Sequence, residues 1–273
     1  MVPVIVGTCL AAGHHHFRPA VFAATLLASL LIQIGTNLAN DYFDFQKGAD
    51  TEDRVGPVRI TSAGLASPKN VLTATCLAFG LAACLGIYLI YVGGWPILVV
   101  GVASIVAGIA YTGGPLPFGY RGLGDIVCFI FFGLIAVVGT YYLQTGSING
   151  SAFLVGIPVA CLVTAILVVN NLRDIDTDRA TGKMTLAVRI GRRGTQIEYA
   201  FLVAVAYLSP FAIAARGITP WWLFWLPLVT LPLGISLVRV IFERAHGKSL
   251  NVALKGTGRL QLAFGCLLAL CLL

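Results

Sequence analysis

Apolar runs of about twenty residues recur along nearly the whole chain, and they limit its possible folds more than any other feature. A run of that length spans the hydrocarbon core of a bilayer as an α-helix. Of the 273 residues, 58% are hydrophobic and only 11% are charged, whereas a soluble domain carries roughly a quarter charged residues. The mean hydropathy is +0.90. The sequence therefore predicts an integral membrane protein.

The spacing of these runs predicts an all-α fold, a polytopic membrane helical bundle of about nine transmembrane helices with a short first helix. We expect helices at about 2–13, 19–41, 69–91, 95–112, 122–143, 151–172, 195–215, 220–241 and 257–273. No polar stretch is long enough to form a separate soluble domain. Residues 1–273 are therefore expected to form a single transmembrane domain.

The distribution of basic residues predicts how the bundle lies in the membrane. With nine spans, one side receives the loops at 42–68, 113–121, 173–194 and 242–256. Of the 18 Lys and Arg residues, all but Arg18 and Arg216 fall in these loops or at the adjoining helix ends. Because positive loops stay in the cytoplasm, we expect that side to be cytoplasmic and the protein to lie in the cell membrane. The net charge of +7 then needs no nucleic-acid partner.

Most of the acidic residues are concentrated in two short segments on that same side. Eight of the eleven lie there, namely Asp41, Asp44, Asp50, Glu52, Asp53, Asp174, Asp176 and Asp178. Carboxylates so close together repel one another unless a cation neutralises them. Ionisable groups at the edge of a membrane helix are functional candidates by default. The alternative is that they cap helix ends and pair with neighbouring arginines.

The spacing within each segment predicts a column of oxygen ligands. Asn40 and Asp44 are four residues apart and share one helical face. If the second segment is helical, Asn171, Asp174 and Asp178 also share a face, from which Asp176 points away. Two facing columns of oxygen ligands would suit Mg²⁺, which takes its remaining ligands from water and substrate phosphates.

Basic side chains next to both segments could hold the oxygens of a phosphate group. They are Lys47, Arg54, Arg59 and Lys183. A site that combines carboxylates, a metal ion and basic side chains is suited to bind a diphosphate substrate.

At both segments the chain resembles the UbiA superfamily of intramembrane prenyltransferases. Two motifs carry the resemblance, Asn-x-x-x-Asp-x-x-x-Asp and Asp-x-x-x-Asp. The longer strings NLANDYFDFQKGAD, RVGPVRITSAGL, YTGGPLPFGYRGLGD and NNLRDIDTDRATGKMTLAVRIG are most similar to the MenA branch, the 1,4-dihydroxy-2-naphthoate polyprenyltransferases. The gap from Asp44 to Asp50 is longer than in the general pattern, and the chain begins later than is usual in that branch.

The resemblance implies transfer of a polyprenyl group from an allylic polyprenyl diphosphate to 1,4-dihydroxy-2-naphthoate, with loss of carbon dioxide and diphosphate, in menaquinone biosynthesis. It implies Mg²⁺, as two ions. The implied partners are the polyprenyl diphosphate, the aromatic acceptor and membrane lipid, with no obligate protein partner. The implied metal ligands are Asn40, Asp44, Asp50, Asp174 and Asp178, and with Lys183 four of these (Asn40, Asp44, Asp174 and Asp178) form the implied catalytic set. The implied substrate-binding residues are Asn37, Asp41, Lys47, Arg54, Arg59, Tyr111, Asp125 and Asn171. Asp125 could equally cap the fifth helix.

Two other functions stay open from the sequence. A related prenyltransferase could use 4-hydroxybenzoate, homogentisate or a chlorophyllide as its acceptor, because the acidic segments do not distinguish between acceptors. A cation-dependent transporter could also carry acidic residues in a helical bundle. The concentration of charge at one end of the helices disfavours a path through the membrane.

Overall fold

The computed structural model describes residues 1–48, 56, 59–243 and 249–273, and these contain helices and no β-strand. The all-α prediction is confirmed. In chain order the helices are α1 (Val2–Gly13), α2 (Pro19–Gln46), α3 (Pro68–Gly93), α4 (Trp95–Ala110), α5 (Gly124–Thr145), α6 (Gly150–Arg173), α7 (Ile175–Ala180), α8 (Leu186–Ala215), α9 (Trp225–Leu228), α10 (Leu231–Glu243) and α11 (Ser249–Cys271). A short 3₁₀ helix, Phe118–Arg121, precedes α5.

Five of the described helices, α2, α3, α5, α6 and α8, are long and apolar enough to cross a membrane. Helices α1 and α4 are apolar but shorter. The count of nine spans therefore stays a prediction, whereas the polytopic helical architecture agrees with the sequence.

Four predicted helices have bounds in the structure that differ by more than two residues, and the first is α2, which ends at Gln46 rather than 41. Helix α8 begins at Leu186 rather than 195, with a kink at Gly191, whose backbone angles (φ 72°, ψ 174°) are not helical, and α11 begins at Ser249 rather than 257. The predicted helix 220–241 is divided into α9 and α10, with Pro232 in the first turn of α10. The apolar pattern locates only the part of a helix that lies in lipid, so polar first turns escape it. Proline lacks the backbone N–H that would continue the preceding helix.

Polar side chains and prolines mark the helix starts. Ser67 accepts a hydrogen bond from the Asn70 N–H at the start of α3, and Asn149 accepts one from the Ala152 N–H at the start of α6. These caps satisfy N–H groups that have no partner inside the helix. Helix α2 begins at Pro19, where a missing N–H costs nothing.

Helix α6 lies in the middle of the larger core cluster. Its Val155, Leu162 and Leu172 are almost fully buried and belong to the same cluster as Tyr199 of α8 and Phe264 of α11. A helix that is apolar on every side is expected to be surrounded by protein. A smaller cluster joins α2, α3, α4 and the end of α5. These two clusters form the two sides of the bundle.

Helix α5 passes between the two sides and contains a π-helical segment, Phe129–Ile135. Gly133 in this segment allows close contact with α6, because a Cβ there would lie 2.1 Å from the Cβ of Ala160. Phe131, Phe132 and Ile135 of the same segment line the main cavity. Such widened turns are frequent at functional sites.

Candidate functional site

A cavity of about 1050 Å³ lies between the two sides of the bundle and is lined by residues of α2 to α6. Most of its wall is apolar, with side chains such as Ile87, Leu98 and Phe132. At one end the wall is formed by the last turn of α2, the end of α6 and the segment that follows α6. Both acidic segments predicted from the sequence therefore face the same cavity.

Asp44, in the last turn of α2, is only 2% exposed and has three partners in this end of the cavity. Its Oδ1 accepts a hydrogen bond of 2.8 Å from the Tyr120 hydroxyl. Its Oδ2 lies 3.4 Å from Nη2 of Arg59 and 3.5 Å from Nζ of Lys183. A buried carboxylate is stable only with such partners. Asp44 therefore connects three separate segments of the chain.

Asp41 and Asn40 lie one turn earlier and also line the cavity. The carboxylate of Asp41 accepts hydrogen bonds from the backbone N–H groups of Ile60 (2.9 Å) and Thr61 (3.1 Å). The Asn40 amide oxygen accepts one of 2.9 Å from the Thr112 hydroxyl. Asp41 thus anchors the segment that carries Arg59, and Asn40 is tied to the segment after α4.

The second acidic segment is not one continuous helix, and that prediction is wrong. Helix α6 ends at Arg173, Asp174 has non-helical backbone angles (φ −93°, ψ 7°), and α7 begins at Ile175. Asn171, Asp174 and Asp178 nevertheless all line the cavity. The Asp176 side chain is 72% exposed and pairs with Arg192, as the sequence predicted for a residue on the other face.

Arg173 holds Asp174 at this break. Its buried guanidinium donates hydrogen bonds of 2.7 and 2.6 Å to the two carboxylate oxygens of Asp174. It also donates to the amide oxygens of Asn170 (2.8 Å) and Asn251 of α11 (3.0 Å). A bidentate contact of this kind fixes both position and orientation. Each oxygen of Asp174 keeps a further lone pair for a ligand.

Lys183 joins the two acidic segments. Its ammonium lies 3.5 Å from Oδ2 of Asp44 and 4.0 Å from Oδ1 of Asp178. Gly182, at φ +75°, makes the turn that precedes it, and the Lys183 N–H donates to the Asp178 carbonyl. A side chain at position 182 would strain that turn. The arrangement makes one polar site from both motifs.

Asp125 and Asn171 form a buried pair next to the cavity wall. The Asn171 amide donates to Oδ1 of Asp125 at 3.4 Å. Asp125 lies in the first turn of α5, after the N-cap position Leu123, so its roles at the acceptor and at the helix start both stay predictions. Tyr111 lines the cavity nearby, packed edge-to-face on Phe118.

The other predicted residues are placed differently. Asn37 lines the cavity and accepts a hydrogen bond from Gln33. Lys47 is exposed outside the lining and donates to the carbonyl of Thr112. Asp50 and Arg54 lie outside the described residues.

The described oxygen ligands suit Mg²⁺ ions that take their remaining ligands from water and substrate. Among the described residues, no three His, Cys, Asp or Glu side chains are grouped closely enough to hold a metal by themselves. Asn40 and Asp44 come from one motif and Asp174 and Asp178 from the other, with Lys183 between them. Mg²⁺ is usually bound by one or two carboxylates together with water and substrate phosphates. Two ligand pairs of this type therefore suit it better than a closed protein cage would.

Sequence reasoning missed three residues that hold the site together, namely Tyr120, Thr112 and Arg173. Their partners come from distant parts of the chain, so no local spacing indicates them. Arg173 offered one signal, because a basic residue between two asparagines and an aspartate is seldom a solvated surface residue at a helix end.

The family of the chain follows from its comparison with known proteins. The model of the UbiA prenyltransferase family matches residues 1–265, and the chain belongs to this family. It is 35% identical over 273 residues to the 1,4-dihydroxy-2-naphthoate octaprenyltransferase of Bacillus subtilis (strain 168), covering 100% of this chain and 87% of that protein. The chain is therefore a multi-pass membrane protein of a prenyltransferase family.

Two solved structures share the fold. A UbiA homolog from Aeropyrum pernix K1 superimposes with a TM-score of 0.74 at 15% identity, over 100% of this chain and 97% of that one. A UbiA homolog from Archaeoglobus fulgidus, bound to DMAPP and Mg²⁺, gives a TM-score of 0.66 at 12% identity, over 99% and 95%. At such identities the likeness establishes the fold.

Proposed function

We propose that this protein transfers a polyprenyl group from an allylic polyprenyl diphosphate to 1,4-dihydroxy-2-naphthoate, with loss of carbon dioxide and diphosphate, in menaquinone biosynthesis. The observation that carries the proposal is the cavity whose polar end is shared by both acidic motifs and whose remainder is apolar. The relative named 1,4-dihydroxy-2-naphthoate octaprenyltransferase, which matches the whole chain, supports the choice of acceptor. Residues 1–273 would then form one prenyltransferase domain.

The diphosphate would bind at the polar end. Lys183 and Arg59 both contact Asp44 there, and their charged groups could turn from this carboxylate to phosphate oxygens. Arg59 offers a planar, bidentate donor set, whereas Lys183 offers a point charge. Both would stabilise the negative charge that develops on the leaving diphosphate.

Asn40 with Asp44, and Asp174 with Asp178, would hold two Mg²⁺ ions, and Asp50 is a further proposed ligand. When bound, Mg²⁺ would act as a Lewis acid towards the leaving diphosphate. Arg173 keeps Asp174 oriented, so the second ligand pair needs little rearrangement to bind a cation. Arg54 is proposed as a further diphosphate-binding residue.

The apolar part of the cavity would hold the prenyl chain and exclude water. Phe131, Phe132 and Ile135 of the π-helical segment and Ile87 of α3 belong to its wall. Ionisation of an allylic diphosphate leaves positive charge on the prenyl carbon, which water would trap. An environment closed to water protects that carbon until the aromatic ring attacks it.

Tyr111, Asp125 and Asn171 are the proposed residues at the aromatic acceptor. The phenol of Tyr111 is protonated at neutral pH, so it can donate a hydrogen bond to an anionic acceptor. Asn37, Asp41 and Lys47 are proposed to assist substrate binding at the polar end. We also propose that this end faces the cytoplasm, as the positive loops predict, and that the membrane is the cell membrane.

Incubating membranes that contain the protein with a polyprenyl diphosphate, Mg²⁺ and one aromatic acid at a time tests the proposal. Prenylated product is expected with 1,4-dihydroxy-2-naphthoate, and none after chelation of Mg²⁺. The control is membranes carrying an Asp44→Ala variant. Product only with 4-hydroxybenzoate, homogentisate or a chlorophyllide would contradict the choice of acceptor. The transporter alternative loses its support, because the chain belongs to a family of transferases.

A further inference from the structure

Tyr120, in the 3₁₀ helix Phe118–Arg121, makes the shortest hydrogen bond to Asp44, at 2.8 Å. This bond uses Oδ1 of the carboxylate, while Oδ2 faces the Lys183 ammonium at 3.5 Å and the Arg59 guanidinium at 3.4 Å. A hydroxyl that donates to a carboxylate limits the rotation of that carboxylate. Tyr120 therefore opposes rotation of Asp44 into a closer ion pair with either cation.

The ring of Tyr120 contacts two cations of the same site. The ammonium of Lys47 lies 4.6 Å from the ring centroid and that of Lys183 lies 5.3 Å from it. Both distances are within the range in which an aromatic ring attracts a cation. Two neighbouring ammonium groups repel each other, and attraction to a shared ring offsets part of that repulsion. The ring therefore holds Lys183, which lines the polar end of the cavity, and Lys47, which lies just outside the lining, close to each other.

Tyr120 is also linked to Asn40, the other proposed metal ligand of the first motif. Lys47 donates to the carbonyl of Thr112, and the Thr112 hydroxyl donates to Asn40 at 2.9 Å. Tyr120 is thus in contact with Asp44 directly and with Asn40 through Lys47 and Thr112. Lys183 extends the network to Asp178 of the second motif, at 4.0 Å.

We propose that Tyr120 is a positioning residue that holds Asp44 ready for a divalent cation and holds Lys47 and Lys183 ready for the diphosphate group. The proposal rests on the proposed function only in requiring a diphosphate substrate and a divalent cation. It does not depend on which aromatic acceptor is used. The hydroxyl and the ring have separate tasks, so they can be tested separately.

Replacing the hydroxyl tests the first task. Mn²⁺ serves as the probe, and its binding to the purified full chain in detergent, with inorganic diphosphate present, is measured from the electron paramagnetic resonance signal of the free ion. Tyr120→Phe is expected to weaken Mn²⁺ binding about tenfold, which is typical for loss of a hydrogen bond that orients a metal ligand. Tyr142→Phe is the matched control, because its hydroxyl also donates at 2.8 Å, to the Gly93 carbonyl away from this site.

Replacing the ring tests the second task. Tyr120→Leu is expected to weaken Mn²⁺ binding as the phenylalanine variant does and, in addition, to raise the KM for polyprenyl diphosphate several-fold. Tyr120→Phe keeps the ring and should leave that KM within about twofold of the wild-type value. This split would not arise if Tyr120 only stabilised the fold, because both variants would then lose folded protein without a specific change in either constant.

Three outcomes would overturn the proposal. They are unchanged Mn²⁺ binding in Tyr120→Phe, equal weakening in Tyr142→Phe, and no Mn²⁺ binding by the wild-type protein with diphosphate. Failure of the proposed function would look different. In that case Mn²⁺ and diphosphate would bind and respond to Tyr120, but no 1,4-dihydroxy-2-naphthoate product would form.

Discussion

The two acidic segments meet in one cavity, yet they are held in place in different ways. In the first, Asp41 and Asp44 lie on a continuous helix, and their partners Ile60, Thr61 and Tyr120 come from loops. In the second, the helix breaks at Asp174, and the adjacent Arg173 holds the carboxylate from inside the bundle. The first motif therefore depends on the loops around it, and the second depends on one buried guanidinium.

The largest expected effect comes from removing one carboxylate from each segment. Asp44→Ala and Asp174→Ala should each lower prenyl transfer at least about a hundredfold, because each removes a proposed ligand of the Mg²⁺ that would stabilise the leaving diphosphate. Activity of membranes, divided by the amount of inserted protein from an immunoblot, measures the effect. Normal turnover in either variant would contradict the assignment of both motifs to one site.

The next effect distinguishes the two motifs by stability. Arg173→Met should lower the free energy of unfolding by about 3–5 kcal/mol, since it leaves the buried Asp174 without its partner. Arg59→Met is the matched control. The Arg59 side chain is 22% exposed, and Asp44 keeps Tyr120 and Lys183 as partners when Arg59 is removed, so this loss should be smaller than that of Arg173→Met.

Denaturant unfolding in detergent, followed by tryptophan fluorescence, compares these two arginine variants. If Arg173→Met and Arg59→Met lose equal stability, the second motif does not depend on Arg173 more strongly than the first motif depends on Arg59. In that case the contrast between the motifs would be one of local geometry alone.

The sequence predicts one part of this site and misses another, for a physical reason. Apolar runs identify helices α2 and α6, and the clustered acids identify Asp44 and Asp178, because these signals are local. The break at Asp174 and the contacts of Tyr120 are not local. Arg173 also binds Asn251, 78 residues further along the chain, and Tyr120 binds Asp44 across 76 residues. Such contacts depend on tertiary packing, which residue spacing does not encode.

A smaller effect on activity is expected from replacing Asp41, because its carboxylate accepts hydrogen bonds from the backbone of a loop. Asp41→Ala should remove about 1–3 kcal/mol of local stability by leaving two backbone N–H groups without their acceptor. Faster hydrogen–deuterium exchange at residues 59–64 measures this loss, and activity should fall less than in Asp44→Ala. Asp41→Asn keeps one oxygen acceptor and should recover part of both losses. A loss of activity as large as that of Asp44→Ala, with unchanged exchange, would instead indicate direct substrate contact.

The smallest effect is expected at Asp176, the one acid of the second segment that points away from the cavity. Its side chain is 72% exposed and pairs with Arg192. An exposed ion pair contributes about 0–1 kcal/mol, so Asp176→Asn should change stability within that range and activity by no more than about twofold. The measurement is prenyl transfer by Asp176→Asn beside Asp178→Asn, which removes the same charge two residues away. Because Asp178 faces Lys183 and the cavity, only its variant should lose most activity. Equal losses would show that the second segment presents both Asp176 and Asp178 to the substrate.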